Sequence, residues 1–540
     1  MFTFRSLVLP LTAIALTACA DRAHEDPLGE TGALTTGQAN DGAAAGACLE
    51  TLDRSSEPAA YLQCQHQLLE AFESRLARRM DKGSEGWEGT TSWVENETRF
   101  LTRLTLVFLA RRAINDGPDW QATSEQFDQR LQSYRQNLLR NPHVIDGIRR
   151  DLERLTLTTP PEERRLIEQN WQQLQRSGVF LSAADADRLQ SIDQTLGELQ
   201  GLFRDNLDRA TLRYETLITD PRRLDGLSID QIAKARQDAE DRGHEEGWVL
   251  TLKRHRLYPA LRQLRDREQR QALHQAHQFR AGGMRVGQVG DNPELMRRIL
   301  SLRLERARLL GFDHALAFQL ADSGLASIEM LYELLDAMER AAKPIAAREV
   351  DRLRLALQGD GFEVEPQAWD LLYYTHREEK RATADGQPEV AVSEMQALDA
   401  LFASAQALWD LEFEPLTGIG GSGLPRFQVH DGQGKPLGAV TFDLGHRRGK
   451  RGGAWMSVLQ HAETDGQQRS PAIVEIQSNF GPGEPGALSL DANAVETLFH
   501  EFGHVLMELF SATRHRSLAG NQLPPDAIEV PALIFERLAF

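Results

Sequence analysis

The first two thirds of the chain carries a helical pattern of apolar positions. From residue 48 to about residue 357, apolar residues recur at three- and four-residue spacing, most clearly at residues 185–214 and 328–357. A Pro-Pro pair at residues 160–161 and an Ala-Gly-Gly stretch at residues 281–283 interrupt the pattern. The sequence therefore predicts a long series of amphipathic helices.

The pattern changes after residue 361, where glycine, proline and β-branched residues become more frequent. Residues 426–430 and 437–444 resemble two strands, and the Asp-Gly-Gln-Gly sequence at residues 431–434 resembles a turn between them. Together they predict a β-hairpin. Residues 473–478 form another short apolar run with β-branched side chains, which indicates a strand. The last third of the chain is therefore expected to combine helices with a small sheet.

Two histidines lie on one face of a predicted helix near the end of the chain. Residues 495–509 have apolar side chains at helical spacing, which places His500 and His504 one turn apart. Glu501 can reach a metal-bound water without being a ligand itself. His-Glu-x-x-His is the zinc-binding arrangement of metallopeptidases, in which the glutamate takes the water's proton. Gly503 is costly inside a helix unless another element approaches closely. Two core histidines satisfied by hydrogen bonds are the alternative.

A catalytic zinc ion needs a third protein ligand and an open fourth position. A turn at residues 519–525 precedes a second predicted helix, on which Glu529 and Glu536 share a face seven residues apart. We predict Glu529 as the third ligand, and Glu536 or Glu496 as carboxylates that orient a histidine. Solvated helix glutamates are the alternative for Glu496 and Glu536.

These residues resemble the thimet oligopeptidase (oligopeptidase A) family of zinc peptidases, the M3 family. The matching motifs are Leu-Phe-His-Glu-Phe-Gly-His at residues 498–504 and Glu-Val-Pro-Ala at residues 529–532, followed by Glu536. The resemblance begins near residue 165. Its other matching segments are residues 176–182, 369–374, 442–454 and 473–480.

The resemblance implies a mainly α fold, with an elongated helical body, a deep cleft and a small β-sheet in the zinc-bearing catalytic lobe. It also implies that the strand at residues 473–478 lines the cleft and pairs with the substrate backbone. We divide the chain into an N-terminal helical region at residues 48–360 and a zinc metallopeptidase domain at residues 361–540.

The function implied is a zinc-dependent metallopeptidase that hydrolyses short peptides, with one Zn²⁺ per chain, metal-activated water and Glu501 as the general base. A non-catalytic, zinc-containing, peptide-binding lipoprotein is the alternative. We expect a monomer. The substrate-binding residues, the cleavage preference and the choice between internal and terminal cleavage do not follow from the sequence.

The sequence departs from the family pattern at its C-terminal end. In the family, the catalytic domain continues past the second glutamate into a helical segment whose His and Tyr residues hold the substrate carbonyl, whereas this sequence ends at Phe540. We therefore expect a truncated catalytic domain with complete zinc ligands and slow turnover; the alternative is that other groups take the place of these His and Tyr residues. Met507 and Asn521 stand where the family more often has His and Thr.

The N-terminal segment predicts a location. An apolar run from Leu7 to Leu16, followed by Thr-Ala-Cys19, resembles a bacterial lipoprotein signal and is too short to span a bilayer. Residues 1–18 would be removed, and a lipid on Cys19 would anchor the chain in the cell envelope, facing the periplasm. Residues 19–47 are expected to form a flexible tether. An ordinary secretory signal is the alternative.

The charge of the chain limits its possible partners, and its cysteines bear on the compartment. The formal net charge of −18 excludes nucleic acid as a partner, because phosphate binding needs a basic face. A short basic run at residues 446–451 is either a solvated loop or a clamp for a peptide carboxylate. Cys48 and Cys64 either pair, as suits an oxidising compartment, or remain reduced and buried.

Overall fold

The computed structural model describes residues 47–49, 52, 57–81, 89–282, 292–325, 327–384, 391–416, 423–447, 449–464, 469–481, 486–524 and 526–539. The predicted signal at residues 1–18, the lipid-bearing Cys19 and nearly all of the predicted tether lie outside these residues, so those assignments stay predictions. In the described part of the chain, no helix has both the length and the apolar character needed to cross a membrane.

The prediction of a mainly α fold is confirmed. Along the chain the helices are α1 (Pro58–Met80), α2 (Thr90–Glu97), α3 (Arg99–Arg112), α4 (Pro118–Arg140), α5 (Pro142–Glu153), α6 (Pro161–Arg176), α7 (Ala183–Arg213), α8 (Ile229–Glu240), α9 (Arg254–Gln263), α10 (Arg267–Gln278), α11 (Asn292–Leu309), α12 (Ala315–Leu320), α13 (Ile328–Gly359), α14 (Ala368–Ala384), α15 (Glu394–Trp409), α16 (Ala492–Phe510) and α17 (Glu529–Glu536). Short 3-10 helices lie at Pro221–Leu224 and Arg516–Leu518.

The strands are β1 (Thr216–Ile218), β2 (Trp248–Leu250), β3 (Val392–Ser393), β4 (Glu412–Pro415), β5 (Arg426–His430), β6 (Pro436–Asp443), β7 (Trp455–Gln460), β8 (Glu463–Thr464), β9 (Arg469–Ser470), β10 (Ala472–Gln477) and β11 (Ser489–Leu490). Five of them form one sheet in the order β4-β5-β6-β10-β7. β5 and β6 are antiparallel, which confirms the predicted hairpin.

Packing divides the chain into two compact units. The first unit joins residues 1–180 to residues 390–540, and the second unit consists of residues 181–389. This division differs from the boundary predicted at residue 360, because α3 packs against β7 of the C-terminal region. In the second unit, the buried Asp370 accepts hydrogen bonds from Arg267 and Arg270, which ties α14 to α10.

The core of the first unit lies between α16 and the five-stranded sheet. Asp491 caps α16 by accepting a hydrogen bond from the Ala494 backbone N–H at 2.8 Å. The apolar face of the helix then packs on the inner face of the sheet and on α15. This core contains Leu498, Phe502, Val505 and Leu509 from the helix, Val440, Phe442, Val474 and Ile476 from the sheet, and Leu401 from α15.

The position of β10 corrects one expectation. β10 is the strand predicted at residues 473–478, and it pairs in parallel with β6 on one side and antiparallel with β7 on the other. Because both of its edges are hydrogen-bonded within the sheet, β10 has no free edge for a substrate backbone. In the order of the described strands, β7 and β4 are the edge strands of this sheet.

A smaller core joins α1, α3 and α4 in the same unit. Phe108 and Phe127 stack with their ring centroids 4.1 Å apart. Cys48 and Cys64 form a disulfide at the edge of this cluster, with an S–S distance of 2.06 Å. Of the two alternatives for these cysteines, the structure therefore has the paired one.

A buried ion pair joins α3 to the five-stranded sheet. Arg111, near the end of α3, donates two hydrogen bonds to the Glu475 carboxylate of β10, at 2.7 and 3.1 Å. The two side chains are 7% and 5% exposed. Such paired and buried charges fix the register of the elements that carry them.

We expect Arg111→Met to lower the free energy of unfolding by about 3–5 kcal/mol, because the buried Glu475 charge would lose its cation. The neighbouring Arg112 is a matched control, since it pairs with Asp128 at the surface, where the side chains are 34% and 54% exposed. Arg112→Met should cost less than about 1 kcal/mol. Urea denaturation of the three proteins measures both effects. Equal losses would contradict a special role for the buried pair.

Candidate metal centre

The two histidines of the sequence motif lie side by side on α16. The apolar face of this helix is buried against the sheet, so its polar face is fixed on the opposite side. His500 and His504 share that face, with ring centroids 5.2 Å apart and ring planes at 81°. Their side chains are 17% and 13% exposed, which leaves both rings largely shielded from solvent.

Glu529 brings a carboxylate to both rings. It is the first residue of α17, after the turn that follows α16. Its Oε2 atom lies 3.3 Å from Nε2 of His500 and 3.5 Å from Nε2 of His504. The predicted set of His500, His504 and Glu529 is thus assembled in the structure from two different helices.

The contact between α16 and α17 depends on Gly503. A Cβ atom at this position would lie 2.4 Å from Cα of Ala532 and 2.9 Å from the carbonyl oxygen of Pro531. Both are backbone atoms of α17, so a side chain at residue 503 would push the helices apart. Phe499 stacks on Phe535 beside this contact, with ring centroids 5.3 Å apart. The close approach expected from a glycine inside the helix is confirmed.

The assembled atoms fit a zinc ion. The ligand atoms of His500, His504 and Glu529 all lie within 4.8 Å of one another. Ligands about 2.0–2.2 Å from a tetrahedral zinc are about 3.4 Å apart, which the 3.3 and 3.5 Å separations match. Two imidazoles and one carboxylate are also a donor set that catalytic zinc sites use.

Glu536 orients the first histidine. Its carboxylate lies 2.8 Å from Nδ1 of His500 and accepts a hydrogen bond from it, while Nε2 of the same ring faces Glu529. Glu496, the other carboxylate predicted for this role, makes no hydrogen bond or ion pair with a described residue. Only Glu536 therefore makes the contact that an orienting carboxylate needs.

The charges of the cluster reinforce one another. The hydrogen bond that His500 donates to Glu529 raises the pKa of His500, and Glu536 and Glu501 act in the same direction. The hydrogen bonds from His500 and His504 in turn lower the pKa of Glu529. The Glu529 carboxylate is therefore ionised throughout the physiological range, as a metal ligand must be.

Glu501 lies in the position predicted for a base. It follows His500 on α16, is 4% exposed, and is not among the three residues whose atoms converge. Its negative charge acts on His500 and also on Arg451, which lies in the loop before β7. A buried carboxylate beside the cluster can accept a proton without occupying a ligand position.

A groove of about 900 Å³ runs along the edge strand β7 within the same unit. The strand forms one wall through Trp455, Ser457 and neighbouring residues, and α3 contributes to the other wall. Arg451 and His461 also line the groove. The negative charge of Glu501 acts on Arg451 at the wall of this groove.

A histidine–glutamate pair beside the groove was not predicted. Nδ1 of His461 lies 2.5 Å from Oε2 of Glu508, and the two side chains are 1% and 0% exposed. Oε1 of Glu508 accepts a hydrogen bond from the Asn521 backbone at 2.8 Å. Glu508 follows His504 by one helical turn, so the polar face of α16 continues past the metal cluster. The pair ties that face to the end of β7 and to the loop that leads to α17.

Comparison with known proteins agrees with this geometry. Residues 260–540, just over half of the chain, match the sequence model of Peptidase family M3. The chain belongs to this family. The matched segment contains the cluster of His500, His504 and Glu529, together with Glu536 and Glu501.

The chain is also similar in sequence to individual proteins named as peptidases. The chain is 29% identical to the dipeptidyl carboxypeptidase of Escherichia coli over 83% of this chain and 66% of the relative. It is 26% identical to the organellar oligopeptidase A of Arabidopsis thaliana, over 83% and 59%. It is 28% identical to the oligopeptidase A of Salmonella typhimurium, over 69% and 56%. The chain thus spans about two thirds or less of the length of these relatives.

We expect Glu536→Gln to lower zinc affinity about 10- to 100-fold, because an uncharged acceptor holds His500 less firmly in the required tautomer. Glu496→Gln is the matched control, since it also neutralises a carboxylate on a helix of the site, and it should leave the affinity unchanged. Competition with a chromophoric chelator measures both variants. Equal losses in the two variants would show that the Glu536 contact has no specific effect.

Proposed function

We propose that this chain is a zinc-dependent peptidase that hydrolyses short peptides with Glu501 as the general base. The observation that carries the proposal is the convergence of His500 Nε2, His504 Nε2 and Glu529 Oε2 from two helices. Membership of Peptidase family M3 supports peptide-bond hydrolysis as the reaction. The relatives named dipeptidyl carboxypeptidase and oligopeptidase A support peptides as the substrate class.

Each residue of the site has a distinct task in this proposal. His500, His504 and Glu529 would hold the zinc ion, and Glu536 keeps the His500 ring in place. Zinc, when bound, supplies Lewis acidity that activates water and polarises a carbonyl. Glu501 accepts the proton of the attacking water and delivers it to the leaving amine. Its burial keeps bulk water from competing for that proton.

The substrate backbone is assigned to β7 instead of β10. In the sheet order of the described strands, β7 has a neighbour on one side only, and Trp455, Met456, Ser457 and Val458 line the groove. An extended peptide in the groove can pair with the backbone N–H and C=O groups of this strand. Such pairing binds the main chain and so accepts many side chains, as a peptidase for mixed short peptides requires.

We expect Glu501→Gln to retain zinc and to lower the turnover of a short quenched peptide about 100- to 10,000-fold, because the base is lost while the ligands remain. His500→Ala provides the contrast, since it removes a ligand and should lower zinc content as well as turnover. Metal content and peptide cleavage are measured on the same protein preparations.

Two results would contradict the proposal. Glu501→Gln that cleaves at the parental rate would exclude this residue as the base. Cleavage by the unmutated protein that persists after exhaustive chelation would exclude the zinc-dependent reaction itself.

A further inference from the structure

Three cations of the basic run at residues 446–451, namely Arg447, Lys450 and Arg451, have different surroundings. Arg447 donates hydrogen bonds to both oxygens of the buried Asp443 carboxylate, at 2.6 and 2.7 Å. The Lys450 side chain is 0% exposed and donates to an Asp443 carboxylate oxygen at 2.9 Å and to the Gly445 carbonyl at 3.0 Å. These two cations share the one Asp443 carboxylate and hold the loop against the end of β6. The Lys450 ammonium is enclosed there, whereas the Arg447 side chain is 41% exposed and uses its guanidinium on Asp443.

Arg451 differs from its two neighbours. Its guanidinium makes no salt bridge with any residue that the structure describes, although it lies 4.5 Å from the centroid of the Trp455 ring. Its backbone N–H donates to the Ala113 carbonyl at 2.8 Å, and its carbonyl accepts from Nδ2 of Asn479 at 2.7 Å. The backbone is therefore fixed on both sides, while the guanidinium lies over the Trp455 ring and has no ion-pair partner among the residues that the structure describes.

The groove around Arg451 carries charges of both signs, with Asp116 and Glu125 also among its lining residues. Arg451 lines the groove along β7, together with Arg112, and the charges of Arg112 and Glu501 both act on it. Burial lowers the pKa of Arg451, and Arg112 acts in the same direction, whereas Glu501 opposes them. Arg112 is paired with Asp128, whereas Arg451 has no such partner in the described part of the chain.

The geometry of the platform suits a carboxylate in particular. A guanidinium stacked on an aromatic ring contacts it through its planar face, which leaves the N–H groups at its edge directed outward. Those N–H groups can form two parallel hydrogen bonds to the two oxygens of a carboxylate. A peptide that pairs with β7 passes along this position, and every short peptide with a free C-terminus carries one carboxylate.

We propose that Arg451 binds a carboxylate of the peptide substrate and thereby determines specificity in the groove. This inference rests on the proposed function, since it assumes that the groove holds a peptide. The carboxylate is either the C-terminal group of the peptide or the side chain of an Asp or Glu residue. In the first case, binding of the C-terminal carboxylate determines how many residues separate the cleaved bond from the C-terminus of the peptide.

Binding can be measured without turnover in zinc-loaded Glu501→Gln protein. Fluorescence anisotropy of N-terminally labelled tetrapeptides gives the dissociation constants. One peptide has a free C-terminal carboxylate, a second is the same peptide with a C-terminal amide, and two further amides carry Asp or Asn at the last position. We expect the parent protein to bind the free acid more tightly than its amide.

Adding Arg451→Gln should weaken binding of the carboxylate peptide about 10- to 100-fold and leave the neutral amide nearly unchanged, because a charge-assisted bidentate contact is lost. Arg451→Lys should restore part of the preference for the carboxylate, since lysine keeps the positive charge but cannot form the two parallel hydrogen bonds. Arg112→Gln is the matched control, because it removes a positive charge from the same groove and should preserve the preference. If the Asp amide, but not the Asn amide, responds to Arg451, the side chain is the source of the carboxylate.

Two outcomes would overturn the inference. One is equal weakening of acid and amide binding by Arg451→Gln, which would show no recognition of the carboxylate. The other is an equal loss of preference in Arg112→Gln, which would show that only the general field of the groove matters. A preserved carboxylate preference in a protein that cleaves no peptide would instead contradict the proposed function and leave this inference standing.

Discussion

The site depends on one contact in which two helices meet with no side chain between them. At Gly503 the backbone of α16 touches the backbone of α17, and a Cβ atom there would lie 2.4 Å from Cα of Ala532. This approach brings Glu529 to the Nε2 atoms of both histidines and Glu536 to Nδ1 of His500. Larger separation of the helices would remove both carboxylates from the rings at once.

The sheet fixes where that helix pair lies. The apolar face of α16 is buried on the sheet, so its polar face is held in one orientation. The Arg111–Glu475 pair joins the sheet to the early helix α3, whose residues form a wall of the groove beside β7. A residue early in the chain thus joins the layer that supports the His500, His504 and Glu529 cluster to a wall of the groove beside β7.

Local periodicity was enough to predict the histidine pair, because a spacing of four residues on an amphipathic helix leaves little freedom in where the rings lie. The seven-residue spacing of Glu529 and Glu536 likewise placed both on one face of a second helix. What periodicity could not show is which carboxylate contacts which nitrogen. The choice of Glu536 over Glu496 follows from the packing of α17 on α16, which involves Gly503 and residues far from it in sequence.

The other differences between expectation and structure are also non-local. An apolar run such as residues 473–478 looks the same in the middle of a sheet and at its edge, so the sequence could not show that β10 has two partners. Lys450 and Arg451 are adjacent and chemically alike, yet one is buried on Asp443 and the other lies over Trp455. These different surroundings of two neighbouring cations are visible only once the loop is folded.

X-ray absorption at the zinc K edge of the zinc-loaded protein tests the assembled site most directly. Two imidazole nitrogens at about 2.0–2.1 Å and at least one oxygen at about 2.0–2.2 Å are expected, with no sulfur in the coordination sphere. Gly503→Ala should retain imidazole scattering and change the oxygen coordination, because Glu529 would be moved away from the rings. A spectrum without imidazole scattering, or one with sulfur at about 2.3 Å, would contradict a centre built from His500, His504 and Glu529.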